Sequence, residues 1–144
     1  MNICQDKTTS LSAAVKQFVF SGCHLSIGGF TVSRNPMAAV YEIIRQKISN
    51  IHLYAHSNGQ GVDELIGADC VSRLEIAYAG SGRFAPTCIR FKKAAQSGAI
   101  AIEDYSNYQM TLNPLWSVTA ITKPAFGKNG SSLSIVGNPV ELRF

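Results

Sequence analysis

Ser26-Ile27-Gly28-Gly29-Phe30-Thr31-Val32-Ser33-Arg34-Asn35-Pro36 is the stretch from which the fold can be read. It follows an apolar run that reads as a strand and leads straight into a helix. Strand, glycine turn and helix start are the parts of a ligand-binding edge in an open α/β sheet. Gly28 and Gly29 remove two Cβ atoms where the backbone must turn sharply or approach a ligand. Asn35 reads as an N-cap, with Pro36 at the first helical position, where a missing N–H is tolerated. Such a helix start presents free N–H groups and a positive dipole end, which suits an anionic or carbonyl ligand. A tight βα turn with no ligand fits the same residues equally well.

The flanking sequence supports the layered reading. Upstream, a helix is expected from near Ser10, with an apolar pattern at Leu11, Ala14, Val15, Phe18 and Val19, ended by Ser21-Gly22. Cys23 to Ile27 is then the strand that feeds the turn. Downstream of Pro36, Met37, Val40, Tyr41, Ile44 and Ile48 form one apolar stripe, with Glu42, Arg45, Gln46 and Lys47 left in water. Ile51 to Ala55 is a second strand, which completes a βαβ unit. The polar loop His56-Ser57-Asn58-Gly59-Gln60-Gly61 follows, then a short helix over Val62 to Ala68. Arg73 to Tyr78 reads as a third strand, and Ala79 to Phe84 as another loop. A helix from near Pro86 to about Ser97, capped by Gly98, leads to a fourth strand over Ala99 to Glu103. The alternation predicts an open, mostly parallel, Rossmann-like α/β sheet flanked by helices. Its loops after Ile27, Ala55 and Tyr78 share one edge, where a site is expected.

Composition narrows the function classes. The 144 residues read as one domain, with 13 Lys and Arg against 9 Asp and Glu, a net charge of +4. The basic residues are scattered, with only Lys92-Lys93 adjacent, which argues against nucleic-acid binding. Cys4, Cys23, Cys70 and Cys88 form no CxxC motif and read as buried free thiols of a cytoplasmic protein. The polar start Gln5 to Ser10 is not a signal sequence, and no apolar run is long enough for a membrane span. No convergent metal-ligand set is evident, and His24 and His52 read as structural strand residues.

The run Gly22 through Gly28-Gly29-Phe30, then Ser33-Arg34-Asn35-Pro36-Met37-Ala38, resembles the amino-terminal signature of family I CoA-transferase α subunits. Glu42-Ile43-Ile44-Arg45, Asp63-Glu64-Leu65-Ile66-Gly67-Ala68, Cys70-Val71, Ala77-Tyr78-Ala79-Gly80 and Glu103-Asp104-Tyr105-Ser106 extend it. The pattern is nearest to the glutaconate type and covers about residues 9 to 112. It departs at Val32 and Arg34, where several relatives carry further glycines.

The resemblance implies a ping-pong transfer of CoA between an acyl-CoA and a carboxylic acid, with CoA as substrate and no permanently bound cofactor. A glutamate attacks the thioester, forms an acyl anhydride and becomes a glutamyl-CoA thioester. That glutamate belongs to a β subunit, so the resemblance implies a hetero-oligomer, and no catalytic residue is assigned to this chain. In the family the glycine segment binds CoA, which maps to Gly28, Gly29, Phe30, Thr31, Val32, Ser33 and Arg34. Some relatives carry an oxyanion-stabilising glutamine on the helix before the Ser-Gly turn. Ala94 stands near that place and Gln96 two residues away, so the role is unassigned.

The loop residues keep open alternatives. Arg34 suits a carboxylate or phosphate by its forked guanidinium, or a plain surface position. Ser57, Asn58 and Gly59 form a candidate substrate loop, with turn formation as the other reading. His56 sits at a strand end, where ligand contact is the lesser reading beside a structural one, and Trp116 reads as packing. Residues 113–144 fall outside the family pattern, with Ser134-Ile135-Val136 as a last short strand. Two alternatives stay open: a related CoA-thioester hydrolase or ring-opening subunit, because the resemblance extends to members that replaced transfer with hydrolysis, and, for so short a chain, a truncated, non-catalytic binding domain.

Overall fold

The computed structural model describes residues 8–111 together with Ser134–Ile135. Helix α1 (Leu11–Phe18) begins where the sequence places it, because the Ser10 hydroxyl accepts from the Ala13 N–H at 3.2 Å. There follow β1 (His24–Ile27), β2 (Phe30–Thr31), α2 (Met37–Arg45), β3 (Ile51–Asn58) and α3 (Gln60–Gly67). β4 (Val71–Tyr78), α4 (Ile89–Ser97), β5 (Ala101–Asp104) and β6 (Ser134–Ile135) complete the described elements, with a helical turn over 107–111 after β5. The strands lie in the order β5-β4-β3-β1-β6, every neighbouring pair parallel, and β2 pairs with the end of β3.

This order explains where the helices go. From β1 to β3, β4 and β5 the chain steps one place in a constant direction, and right-handed crossovers then put α2, α3 and α4 on one face. β6 lies on the other side of β1, so the strand order reverses there. The carboxyl end of β1 is therefore a topological switch point, the place where open α/β sheets leave a crevice. On the helix-bearing face Leu25, Ile51, Leu53 and Leu74 pack with Val15, Val40, Ile43 and Leu65. Burying each such side chain contributes roughly 1.5–3 kcal/mol relative to exposure. Strand alternation turns His24, His52, Tyr54, His56 and Glu75 to the opposite face, where they are half-buried.

Several boundaries differ from the sequence reading, each for a local reason. β3 runs on to Asn58, not to Ala55, because Phe30 and Thr31 pair with Ser57 and Asn58 and extend the ladder. The expected loop over His56 to Gly61 shrinks to Gly59, and α3 starts at Gln60. Tyr41 does not belong to the buried stripe of α2; Ile43 takes that place, fully buried, while Tyr41 is exposed. β4 starts earlier, at Val71, and β5 later, at Ala101, since the Ala99 N–H is drawn back to the Ala94 carbonyl at 3.1 Å. Cys23, Cys70 and Cys88 are buried free thiols. Burial pushes all three up in pKa, which favours the neutral thiol over the thiolate. β6 is present over Ser134–Ile135; Val136, Trp116 and Cys4 lie outside the described residues. No described helix is long and apolar enough to cross a membrane.

α4 starts at Ile89 instead of near Pro86, and its cap comes from another helix. Cys88 precedes it without a side-chain cap, while Asp63 of α3 accepts from the N–H groups of Arg90 at 2.9 Å and Phe91 at 3.0 Å. The carboxylate thus satisfies two orphan donors and meets the positive end of the helix dipole. Asp63→Ala is expected to lower stability by about 1–2 kcal/mol. Asp63→Asn, which keeps an acceptor oxygen, should retain most of it. Urea titration checks both, and an unchanged midpoint for the alanine variant would refute the shared cap.

Candidate functional site

The glycine turn does not simply reverse the chain; it folds back onto β3. Phe30 and Ser33 exchange backbone hydrogen bonds at 2.8 and 2.7 Å, which closes a tight turn over Thr31 and Val32. The Thr31 carbonyl accepts from the Gly59 N–H at 2.9 Å and from the Asn35 amide at 2.9 Å. Gly29 holds φ +112°, and a Cβ there would stand 2.0 Å from Asn35 Oδ1 and 3.0 Å from its Cα. Only glycine fits. Thr31 and Arg34 also take left-handed backbone conformations, with φ 51° and 57°. Two such residues in one short turn mark a backbone held by its surroundings.

Asn58 is what holds it. Its side chain is 1% exposed and makes three hydrogen bonds to three different segments. The amide donates to the Gly28 carbonyl at 3.0 Å and to Asn35 Oδ1 at 3.0 Å, while Oδ1 accepts from the Val62 N–H at 3.2 Å. One buried amide therefore ties the glycine turn, the residue before α2 and the first turn of α3 to the end of β3. Asn35 is accordingly no side-chain N-cap. Its oxygen is taken by Asn58, and Pro36 occupies the cap position without a side-chain bond to the helix.

The neighbouring loops close against this clasp. Gly59 approaches the loop after β4 so closely that a Cβ would stand 2.4 Å from the Gly80 carbonyl oxygen. The three loops expected to share one edge do share it. Ser57 is 2% exposed and donates to Asn107 Oδ1 at 2.9 Å. His56 Nδ1 lies 3.0 Å from the Ser57 hydroxyl, and its Nε2 lies 3.0 Å from the Asn107 carbonyl. Ser57, Asn58 and His56 are thereby committed to partners inside the chain. Outward-facing at the same edge are Phe30, Val32, Ser33 and Arg34, the last with no ion pair among the described residues. Arg83, on the loop after β4, stacks over Phe84 at 5.2 Å.

The described glutamates are engaged elsewhere. Glu42 accepts from Arg45 at 2.8 Å and from Gln46 at 2.6 Å, which holds its carboxyl down at about 2. Glu64 faces Arg90 at 3.6 Å, and Glu103 pairs with Arg73 and accepts from Tyr105 at 2.7 Å. Glu75 faces two histidines. Its Oε1 lies 2.7 Å from His52 Nε2 and 3.5 Å from His24 Nε2. The imidazole rings stack at 4.0 Å with an 8° interplanar angle. Desolvation by burial lowers the pKa of both, and each also feels the Arg73 charge. The sequence reading missed this convergence, because it needs the strand register: His24 pairs with His52, and Glu75 lies diagonally across on β4. The expectation of no convergent metal-ligand set is thus corrected, since these three donor atoms all lie within 4.8 Å of one another.

Residues 8–112 match the family described as coenzyme A transferase. The A component of glutaconate CoA-transferase from Acidaminococcus fermentans is 34% identical over 118 residues, 82% of this chain and 36% of that protein. The A component of 3-oxoadipate CoA-transferase from Pseudomonas knackmussii is 33% identical over 101 residues, 68% of this chain and 35% of that protein. The crystal structure of glutaconate coenzyme A-transferase from A. fermentans superposes with a TM-score of 0.69 at 33% identity, covering 83% of this chain and 37% of the other. A variant of the decarboxylase AibA/AibB gives 0.72 at 29% identity, covering 81% of this chain and 45% of the other. The chain thus spans about a third of the length of the curated relatives, at 36% and 35%. The open parallel sheet, the superposition on glutaconate coenzyme A-transferase and the match over residues 8–112 agree: the chain belongs to the coenzyme A transferase family.

Proposed function

We propose that this chain is the α-type part of a CoA-transferase that moves CoA between an acyl-CoA and a carboxylic acid. The observation that carries the reading is the Asn58-clasped turn at the switch point, in a chain of this family. Residues 1–144 act as one domain, with 113–144 outside the family pattern. The turn from Gly28 to Arg34, with Gly59 behind it, supplies the CoA-facing backbone. Phe30, Val32, Ser33 and Arg34 face the ligand, Arg34 suiting a phosphate or carboxylate. Ser57 and Asn58 act from behind, as positioning residues.

In this reading the nucleophilic glutamate comes from a β subunit, as the family resemblance implies; that the four described glutamates are held in other contacts supports it. Its carboxylate adds to the thioester carbonyl, and CoA thiolate leaves as the acyl anhydride forms. The thiolate then attacks the glutamyl carbonyl, releasing the acyl carboxylate and leaving a glutamyl-CoA thioester that the second acid reverses. Backbone N–H groups of the fixed turn suit the developing oxyanion, since pre-placed donors need no reorganisation. The working form is a cytoplasmic hetero-oligomer. Both CoA-transferase relatives are named as the A components of transferases, which supports transfer over hydrolysis or ring opening.

Co-expression with a β-type subunit, sought in a neighbouring reading frame, tests this. The purified complex is expected to exchange CoA between an acyl-CoA and a free acid, and borohydride should trap the glutamyl thioester on the β chain alone. A folded complex that neither exchanges CoA nor binds it would overturn the reading.

A further inference from the structure

The sheet face opposite α1 to α4 carries a cluster that the transfer reaction does not use. His24 of β1, His52 of β3 and Glu75 of β4 stand on three adjacent strands, with side chains 23%, 26% and 13% exposed. We propose that His24 Nε2, His52 Nε2 and a Glu75 carboxylate oxygen form a binding site for one divalent transition-metal ion of the Zn2+ or Co2+ class.

Two imidazole nitrogens and one carboxylate oxygen are the donor types such ions prefer over Mg2+ or Ca2+, which take all-oxygen sites. Three protein ligands leave a fourth position for water. Tetrahedral coordination at about 2.0–2.2 Å from each donor requires donor separations of roughly 3.3–3.6 Å. The observed 3.5 Å from Glu75 to His24 already fits, and the 2.7 Å from Glu75 to His52 has to open slightly. The stacked rings must also splay about their Cβ–Cγ bonds, so that both lone pairs aim at one point. The backbone register need not change, because His24 and His52 are direct neighbours across β1 and β3. Arg73, whose charge both histidines feel, is paired with Glu103, which offsets its repulsion of a bound ion. An ion here would bridge three strands and stabilise the fold by an amount that grows with the logarithm of free metal above its dissociation constant.

Titration of the purified, metal-free full chain with Co2+ and with Zn2+ tests the site. One equivalent of Co2+ is expected to give visible d–d absorption without the near-ultraviolet thiolate charge-transfer band that Cys23, beside His24, would produce. Zn2+ should displace it and raise the melting temperature. His52→Ala and Glu75→Gln should each weaken binding by about ten-fold or more, with the folded far-ultraviolet spectrum retained. If a variant fails to fold, His24→Ala, at the more distant ligand, provides the same comparison. No stoichiometric binding at micromolar Zn2+, binding unchanged in the folded variants, or a thiolate band would each overturn the proposal.

Discussion

Asn58→Ala is expected to destabilise the chain by about 2–4 kcal/mol and to weaken CoA binding to the complex more than ten-fold, a loss above about 1.4 kcal/mol. The alanine strands three polar groups at once, the part-buried Gly28 carbonyl and Asn35 Oδ1 and the buried Val62 N–H. A buried group left without a partner costs about 1–3 kcal/mol, and partial relaxation keeps the total below the sum. Asn58→Asp separates the two halves of the clasp. It retains the acceptor for Val62 but loses both amide donor bonds and places a carboxylate near the Gly28 and Asn35 oxygens. It should therefore be no better than alanine. Guanidinium unfolding and calorimetric CoA titration check the two effects, and a variant with wild-type values in both would show that Asn58 is not the clasp.

Gly29→Ala is the second large effect. The left-handed backbone alone costs roughly 1–2 kcal/mol for a residue with a side chain. The added methyl would also meet Asn35 at its backbone Cα, which cannot swing away as a flexible side-chain end could. A total near 2–4 kcal/mol is expected, with the turn displaced from the Thr31 contacts to Gly59 and Asn35. Affinity for CoA should fall in the same variant. Unaltered binding with reduced stability would assign Gly29 to folding only.

How much of this was legible in the sequence depends on the range of the interaction concerned. The glycine pair, the helical stripes and the strand spacing are local patterns, and they led to the parallel α/β architecture and to the shared loop edge. The start of α1 near Ser10 was equally readable, since the contact that fixes it spans only three residues. Asn35 failed as a cap because a residue 23 positions on, Asn58, takes its oxygen. The α4 start was misplaced for the same kind of reason: its acceptor is Asp63, 27 positions before Arg90. Tyr41 misled because both it and Ile43 suit an apolar stripe, and only packing decides which turns inward. Ser57 and Asn58 were noticed as polar residues at a strand end. Their burial follows from β2, a two-residue strand too short to carry a periodicity. The His24, His52 and Glu75 cluster depends on strand order and register, which single-strand patterns do not encode.

The central claim is that the clasped turn is where CoA sits. Amide hydrogen exchange on the reconstituted complex, with and without CoA, tests it most directly. The expected result is slower exchange at residues 28–35 and 59–62 when CoA is present, with the strand His24–Ile27 and helix α4 unchanged. CoA that binds with full occupancy yet leaves those amides unaffected, and protects another part of the chain or the partner alone, would contradict it.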